Sequence, residues 1–287
     1  MSALVSFHPA VAAWFRASLG EPTRAQELGW PAIARGESTL LLAPTGSGKT
    51  LAAFLVAVDR IMRAPLPEKR HRTRVLYVSP LKALAVDVER NLRAPLEGIA
   101  AHARASGEEL HVPTVDVRTG DTPAKDRARM ARAPADILIT TPESLYLLLT
   151  SAARATLASV DTLILDEIHA LVPTKRGAHM ALSLERLESL RAAGAPRLQR
   201  IGLSATQRPL DEVARLLGGF DGGAPRPVTI VDAGARKELV LAVEATKPAP
   251  PPEGTPAEAE NKSAWPGVHA RVVELLQKHT STLVFVN

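Results

Sequence analysis

At 287 residues, with 46% hydrophobic but only 3% aromatic side chains, the chain has enough apolar mass for one sizeable aliphatic core and part of a second. A net charge of +5 is mild for that length and names no partner on its own, while the absence of cysteine excludes disulfides and thiolate metal sites. The first residues lack the basic start and unbroken apolar run of a secretory signal, and no apolar stretch approaches membrane-spanning length, so a soluble, cytoplasmic protein with no membrane partner is expected.

Val11 to Leu19 predicts a helix with Val11, Trp14, Phe15 and Leu19 on one side. Gln26 follows on a short helical segment that leads to Trp30-Pro31-Ala32-Ile33. Thr39-Leu40-Leu41-Leu42 reads as a short buried strand and runs into Ala43-Pro44-Thr45-Gly46-Ser47-Gly48-Lys49-Thr50. Leu51, Phe54, Leu55, Val58, Ile61 and Met62 then share one face at helical spacing. The basic stretch Lys69 to Arg74 reads first as a solvated loop and only second as a nucleic-acid contact. Val75 to Val78 is the next strand, ending at Ser79-Pro80-Leu81-Lys82, and its helix carries Leu84, Val88, Leu92 and Leu96.

Val112 to Val117 predicts a strand ending at Arg118-Thr119-Gly120, followed by a basic helix with Lys125, Arg127, Arg129 and Arg132. Ile137 to Ile139 leads into Thr141-Pro142-Glu143, with a helix beginning at Leu145. Val160 to Leu165 is a strand ending in Asp166-Glu167-Ile168-His169, and Met180, Leu184, Leu187 and Leu190 mark the following helix. Arg200 to Leu203 ends in Ser204-Ala205-Thr206, Pro209 opens a helix that Gly218-Gly219 stops, and Val228 to Val231 is a further strand. Strands alternating with helices imply an α/β fold with a mainly parallel sheet covered on both faces. Ligands in such sheets gather at the carboxyl ends of the strands, where the polar segments at six strand ends fall.

From Lys247 to Ser263 the composition turns Pro-rich and acidic, so residues 246–264 are expected to link a domain over 1–245 to a second one starting at 265. Trp265 onward predicts a helix, and Thr282 to Asn287 a buried-type strand. One helix and one strand make no domain, so the residues 265–287 are expected to be the start of a second α/β domain cut short.

The loop over Thr45, Gly46, Ser47, Gly48, Lys49 and Thr50 has the make-up of a nucleoside-triphosphate cradle. Its glycines let successive N–H groups point at phosphate oxygens, and the helix start adds its positive dipole end. Lys49 can reach the β- and γ-phosphates, and the Thr50 hydroxyl can ligate Mg²⁺. The usual first glycine is Ala43 here, a variant met in nucleic-acid-dependent ATPases. Gln26 offers a donor and an acceptor suited to an adenine edge, the alternative being a helix-capping or surface glutamine. After an apolar strand, Asp166 would hold the metal and Glu167 would orient or deprotonate the attacking water. His169 and His179 lack metal-ligand spacing. His169 is read instead as bonding to the Ser204-Ala205-Thr206 turn and coupling the γ-phosphate site to a neighbouring strand end, or as a satisfied structural histidine.

With the loop, Asp166-Glu167-Ile168-His169 and Ser204-Ala205-Thr206 in this order, the chain resembles the first RecA-like motor domain of a superfamily 2 helicase of the DExH kind. Trp30-Pro31-Ala32-Ile33-Ala34-Arg35-Gly36, Thr141-Pro142-Glu143-Ser144-Leu145 and Lys175-Arg176-Gly177 are most similar to the large helicase-related (Lhr) proteins. His169 in place of Asp argues against the DEAD-box RNA helicases. The resemblance implies ATP and Mg²⁺ as cofactors and Gln26 as an adenine reader. It also implies that Pro80, Leu81, Lys82, Thr119, Gly120, Thr141, Pro142 and Glu143 hold the backbone of one nucleic-acid strand, single-stranded DNA or an RNA–DNA hybrid. The arginine finger such motors take from their second domain has no counterpart here, so these residues alone are expected to hydrolyse ATP poorly and unwind nothing. The alternatives are a double-strand DNA translocase, an RNA helicase of the same superfamily, or a non-catalytic nucleotide-gated binding module.

Overall fold

In the computed structural model, residues 3–191, 195–205, 209–234, 240–245 and 265–285 are described, in two compact units that divide between Ala235 and Arg236. The first unit opens with α1 (Pro9–Leu19) and α2 (Arg24–Ala34). Proline at the start of α1 and a capping box at the start of α2, where Thr23 and Gln26 satisfy each other's backbone donors, fix where the two helices begin. The strand β1 (Thr39–Leu42) and helix α3 (Lys49–Arg63) follow. Then come β2 (Val75–Val78), α4 (Lys82–Ala105), β3 (Val115–Arg118), α5 (Ala124–Arg132), β4 (Ile137–Thr140) and α6 (Pro142–Leu149). The chain continues through β5 (Thr162–Leu165), α7 (Lys175–Leu190), β6 (Gln199–Ser204), α8 (Leu210–Gly218), a hairpin of β7 (Phe220–Asp221) with β8 (Ala224–Pro225), and β9 (Thr229–Asp232).

Seven strands form one parallel sheet in the order β3-β4-β2-β5-β6-β1-β9. Side chains alternate across it, as strand geometry requires. Leu41, Tyr77, Ile139, Ile164 and Leu203 pack on one face beneath α1 to α4, while Leu40, Leu76, Leu138, Leu163 and Leu165 pack on the other beneath α6 to α8. In the five inner strands both faces are buried, so they read as mostly apolar runs, while the edge strands β3 and β9 are only partly buried. The register aligns the carboxyl ends, with Leu42 beside Ser204, Val78 beside Leu165 and Thr140 beside Arg118. The expected parallel α/β sheet with helices on both faces is therefore present. Among the described residues, no helix is long and apolar enough to cross a membrane.

Several boundaries differ from the expectation. The strand expected over Val112 to Val117 begins only at Val115, because Pro113 lacks an N–H and the Thr114 N–H and hydroxyl both go to Asp136. The helix expected from Leu145 starts at Pro142, with proline in its favoured first-turn position. The β7–β8 hairpin was not anticipated; its turn residues Gly222 and Gly223 both have positive φ, at 58° and 85°, as a tight antiparallel turn demands.

In the second unit, α9 (Trp265–Lys278) is held by Arg271, which donates to both carboxylate oxygens of Glu244 and also pairs with Glu274. Of the strand expected over 282–287, residues 282–285 are not in strand conformation, with Leu283 and Phe285 exposed, and 286–287 lie outside the described residues. Apolar, β-prone residues become a strand only where another strand accepts their hydrogen bonds. The expected linker, 246–264, and Thr206 both lie outside the described residues.

Candidate functional site

The carboxyl ends of β1 and β5 face one cleft of about 540 Å³, lined at one end by Thr45, Gly46, Gly48, Lys49, Thr50, Asp166 and Glu167. The loop after β1 is shaped by Gly46 and Gly48, with φ of 79° and 78°. At Gly48 a side chain would also collide with the Gln26 amide, 2.7 Å from where its Cβ would stand. Ala43 is tolerated in place of glycine because its backbone is not left-handed; it is fully buried against Ala25 and Ala233 and donates its N–H to Ser204 O at 3.1 Å. The loop is also tied to α2. Thr23 Oγ1 donates to Ser47 O at 2.7 Å, and Gln26 Nε2 reaches Gly48 O at 3.5 Å.

Lys49 is buried, only 5% exposed, and its Nζ stands 3.5 Å from Glu167 Oε1. Asp166 is also buried, and both of its oxygens have donors: Oδ1 accepts from the Glu167 N–H at 2.9 Å, and Oδ2 accepts from the Tyr77 hydroxyl. Burial pushes the Asp166 carboxyl above the usual aspartate range, against the pull of Tyr77, the Glu167 N–H and Lys49. Burial and the neighbouring carboxylate push the Tyr77 phenol up as well, so it stays a donor. Glu167 has φ of 46°, the one non-glycine residue in the left-handed region among those described. Such a conformation costs of order 1–3 kcal/mol and clusters at functional sites. His169 Nδ1 lies 3.3 Å from Glu167 Oε2 and 3.4 Å from Ser204 Oγ, linking the ends of β5 and β6.

The cleft suits a magnesium–triphosphate group. It combines a buried cation, a buried carboxylate, left-handed glycines that open the loop backbone, and the Ser47 Oγ, which is buried with no partner. Among the described residues no three His, Asp or Glu side chains converge to hold a metal ion, so a hard cation here would rest on Thr50 and Asp166 together with phosphate oxygens and water.

The other half of the same rim carries the three segments expected to touch nucleic acid. Because β3, β4 and β2 are neighbours, Thr119-Gly120, Thr141-Pro142-Glu143 and Pro80-Leu81-Lys82 form a row. Lys82 Nζ pairs with Asp121 at 2.8 Å. Arg176, on α7, donates to Glu143 Oε1 at 2.7 Å and to Pro80 O at 3.0 Å, bridging the ends of β4 and β2. Burial alone would raise the Glu143 carboxyl, but Arg176 holds it below the usual range. The hydroxyls of Thr141 and Thr119 are engaged within their own turns, with Ser144 Oγ and the Asp121 N–H, which leaves Leu81, Lys82 and Gly120 facing outward.

The structure thus gathers Thr45 to Thr50, Asp166, Glu167, His169 and Ser204 at one end of the sheet. Gln26 lies beside them, but its amide accepts from the Thr23 N–H at 2.8 Å and is 3% exposed, so in this arrangement it caps α2 and braces the loop. Thr23, Tyr77 and the bridging role of Arg176 were not read from the sequence. A phenol inside an otherwise aliphatic strand was the one available signal for Tyr77, since a buried hydroxyl needs a partner.

A family model described as DEAD/DEAH box helicase matches residues 23–213. The chain is 54% identical to the Lhr helicase/probable uracil glycosylase of Mycolicibacterium smegmatis, over 96% of this chain and 17% of that protein. It is 41% identical to the ATP-dependent helicase Lhr-Core of Methanothermobacter thermautotrophicus, over 98% of this chain and 31% of that protein. The structure of Mycobacterium smegmatis helicase Lhr bound to ssDNA and AMP-PNP is similar over the whole of this chain and 35% of that one, with a TM-score of 0.81 and 51% identity. The chain spans less than a third of the length of these curated relatives.

Proposed function

This chain belongs to the DEAD/DEAH box helicase family, and from that premise we propose that it is the first RecA-like motor domain of an Lhr-type, ATP-driven helicase. In this reading, residues 1–245 bind ATP with Mg²⁺, 246–264 link, and 265–287 begin the second motor domain. The substrate is a nucleic-acid strand, single-stranded DNA or an RNA–DNA hybrid, met in the cytoplasm. The observation that carries the reading is the convergence of Lys49, Thr50, Asp166 and Glu167, from the ends of two non-adjacent strands, on one cleft. The ssDNA and AMP-PNP bound by the similar Mycobacterium smegmatis Lhr support it.

Lys49, desolvated and close to Glu167, supplies positive charge to the β- and γ-phosphates while the N–H groups of the loop and of the start of α3 cradle them. Gln26 braces the loop and is assigned to the adenine edge by the likeness to the family. Magnesium, when bound, neutralises phosphate charge and orders water, and Thr50 and Asp166 are the residues that would hold it. Glu167 orients the attacking water and takes its proton. His169 touches both Glu167 and Ser204, so a movement of the water-orienting carboxylate reaches the end of β6; Thr206 is assigned to the same coupling turn. Pro80, Leu81, Lys82, Thr119, Gly120, Thr141, Pro142 and Glu143 track a sugar–phosphate backbone without reading sequence.

The test is ATP turnover by the full-length protein with single-stranded DNA, duplex DNA and RNA. Glu167→Gln is expected to lose roughly 10²–10⁴-fold in turnover while still binding nucleotide. Lys49→Ala is expected to abolish turnover, and wild-type turnover in that variant would overturn the assignment of the cleft.

A further inference from the structure

We infer that Tyr77 is a positioning residue for the divalent ion: its hydroxyl, donated to Asp166 Oδ2, fixes the carboxylate that meets the metal. This rests on the reading of the cleft as a magnesium–nucleotide site. Three observations place Tyr77 in the role. It is fully buried in β2, directly across the ladder from β5, whose carboxyl end carries Asp166. Its ring is stacked on Phe54 of α3, with centroids 5.0 Å apart and planes 25° from parallel, so the phenol has little freedom to turn away. Asp166 Oδ1 already accepts the Glu167 N–H, so the Tyr77 hydroxyl is the second donor that fixes the carboxylate plane.

The physical consequence follows from how hard cations bind. Magnesium demands near-ideal octahedral geometry and sheds its water reluctantly, so a carboxylate that orders its water shell must be held at a set angle. Hydrogen-bond donors to a ligating carboxylate commonly change metal affinity about 10–100-fold. Here the donor comes from a neighbouring strand and not from the loop, which makes the carboxylate orientation a property of the sheet. Removing the hydroxyl while keeping the ring leaves the Phe54 stack in place but frees Asp166 to rotate.

The experiment compares full-length wild type with Tyr77→Phe by equilibrium binding of AMP-PNP, in EDTA and across a magnesium titration. In EDTA the two are expected to bind within roughly twofold of each other, because the loop and Lys49 are intact. The magnesium concentration that gives half of the metal-dependent gain is expected to rise by about tenfold in Tyr77→Phe. Manganese, which binds such sites more tightly, should restore part of the loss. A purely structural role predicts a lowered melting temperature with the wild-type magnesium response, and that result would overturn the inference. A second variant, Tyr77→3-fluorotyrosine, carries a stronger hydroxyl donor of nearly the same shape and is expected to match or exceed the wild-type magnesium response. A response as weak as that of Tyr77→Phe would also overturn it. Should wild type itself show no magnesium-dependent gain, the reading of the cleft fails together with the role of Tyr77; an equal gain in wild type and Tyr77→Phe removes only the latter.

Discussion

At the amino-terminal rim of the sheet, the buried Arg200 guanidinium donates to Glu185, Glu188 and the carbonyls of Leu217 and Gly218, and Arg226 closes a bidentate pair on Glu185. Further along the same rim, Asp136 accepts from the Thr114 N–H and hydroxyl and from Arg72, and meets His111 at 3.1 Å. At the carboxyl rim Ser47 Oγ is buried without a partner, Glu167 holds a left-handed backbone, and burial keeps the Asp166 carboxyl above its ordinary range. One rim closes most of its polar groups on each other, Arg200 Nε excepted, which stabilises the fold. The other leaves bonding capacity and strain in place, at a cost in stability, which is what a site meant for a charged ligand requires.

The contrast breaks most visibly at Arg200. Arg200→Ala leaves Glu185 to Arg226 alone and takes from Glu188 its nearest cation, and removing one partner of a buried ion network costs about 3–5 kcal/mol. Thermal denaturation should show that loss, while nucleotide affinity at a temperature where the variant is folded stays within roughly twofold of wild type, since distant sites are nearly independent.

Asp136 tests the same rim by pH. Burial alone would raise its carboxyl, but the bonds from Thr114, with Arg72 and His111, hold it below the ordinary value. A folded-state pKa lower than the unfolded one gives stability that is present above the unfolded value and lost as pH falls through the folded one. Asp136→Asn should therefore cost about 1–3 kcal/mol at neutral pH and flatten the acid limb of a stability–pH curve below about pH 4.

Asp166→Asn sharpens the comparison from the other side. The folded chain holds the Asp166 proton more tightly than the unfolded chain, so stability falls as pH rises from the unfolded value through the folded one, and the penalty is fully present above it. Replacing the carboxylate by an amide is expected to abolish turnover yet raise the stability of the nucleotide-free protein by about 1 kcal/mol, a site trading stability for function. A lower melting temperature would show that the carboxyl rim is not a strained one.

The smallest effect belongs to Lys82. Its pairing with Asp121 is exposed on both sides and contributes about 0–1 kcal/mol. Asp121→Asn should leave stability within about 0.5 kcal/mol but free the ammonium for a phosphate. Binding of single-stranded nucleic acid should then tighten a few-fold, with a salt dependence steeper by up to ~0.7 in log–log slope.

Much of the site was legible because its chemistry is local in sequence. Gly46, Gly48, Lys49 and Thr50 are adjacent, and Asp166-Glu167 ends an unmistakable aliphatic run. The parallel sheet was legible because strands buried on both faces cannot alternate polar and apolar residues. What stayed hidden depends on long-range placement. Thr23 meets Ser47 across 24 positions, Tyr77 meets Asp166 across 89, and Arg176 meets Pro80 across 96. No spacing rule links such pairs; only the strand order does. The residues 282–285 failed for a related reason, since propensity alone cannot make a strand without a neighbour to pair with.

The strand order also acts as a ruler. With β6 lying between β1 and β5, the carboxyl ends of β1 and β5 are separated by two ladder steps, roughly 9.6 Å. The loop and helix start that follow β1 carry Lys49 back across that span, to within 3.5 Å of Glu167, so one cleft is reached from two strands that do not touch. The span between the two strand ends is thus set by hydrogen bonds between strands, while the loop after β1, pinned by Thr23 and Gln26, sets where Lys49 stands within it.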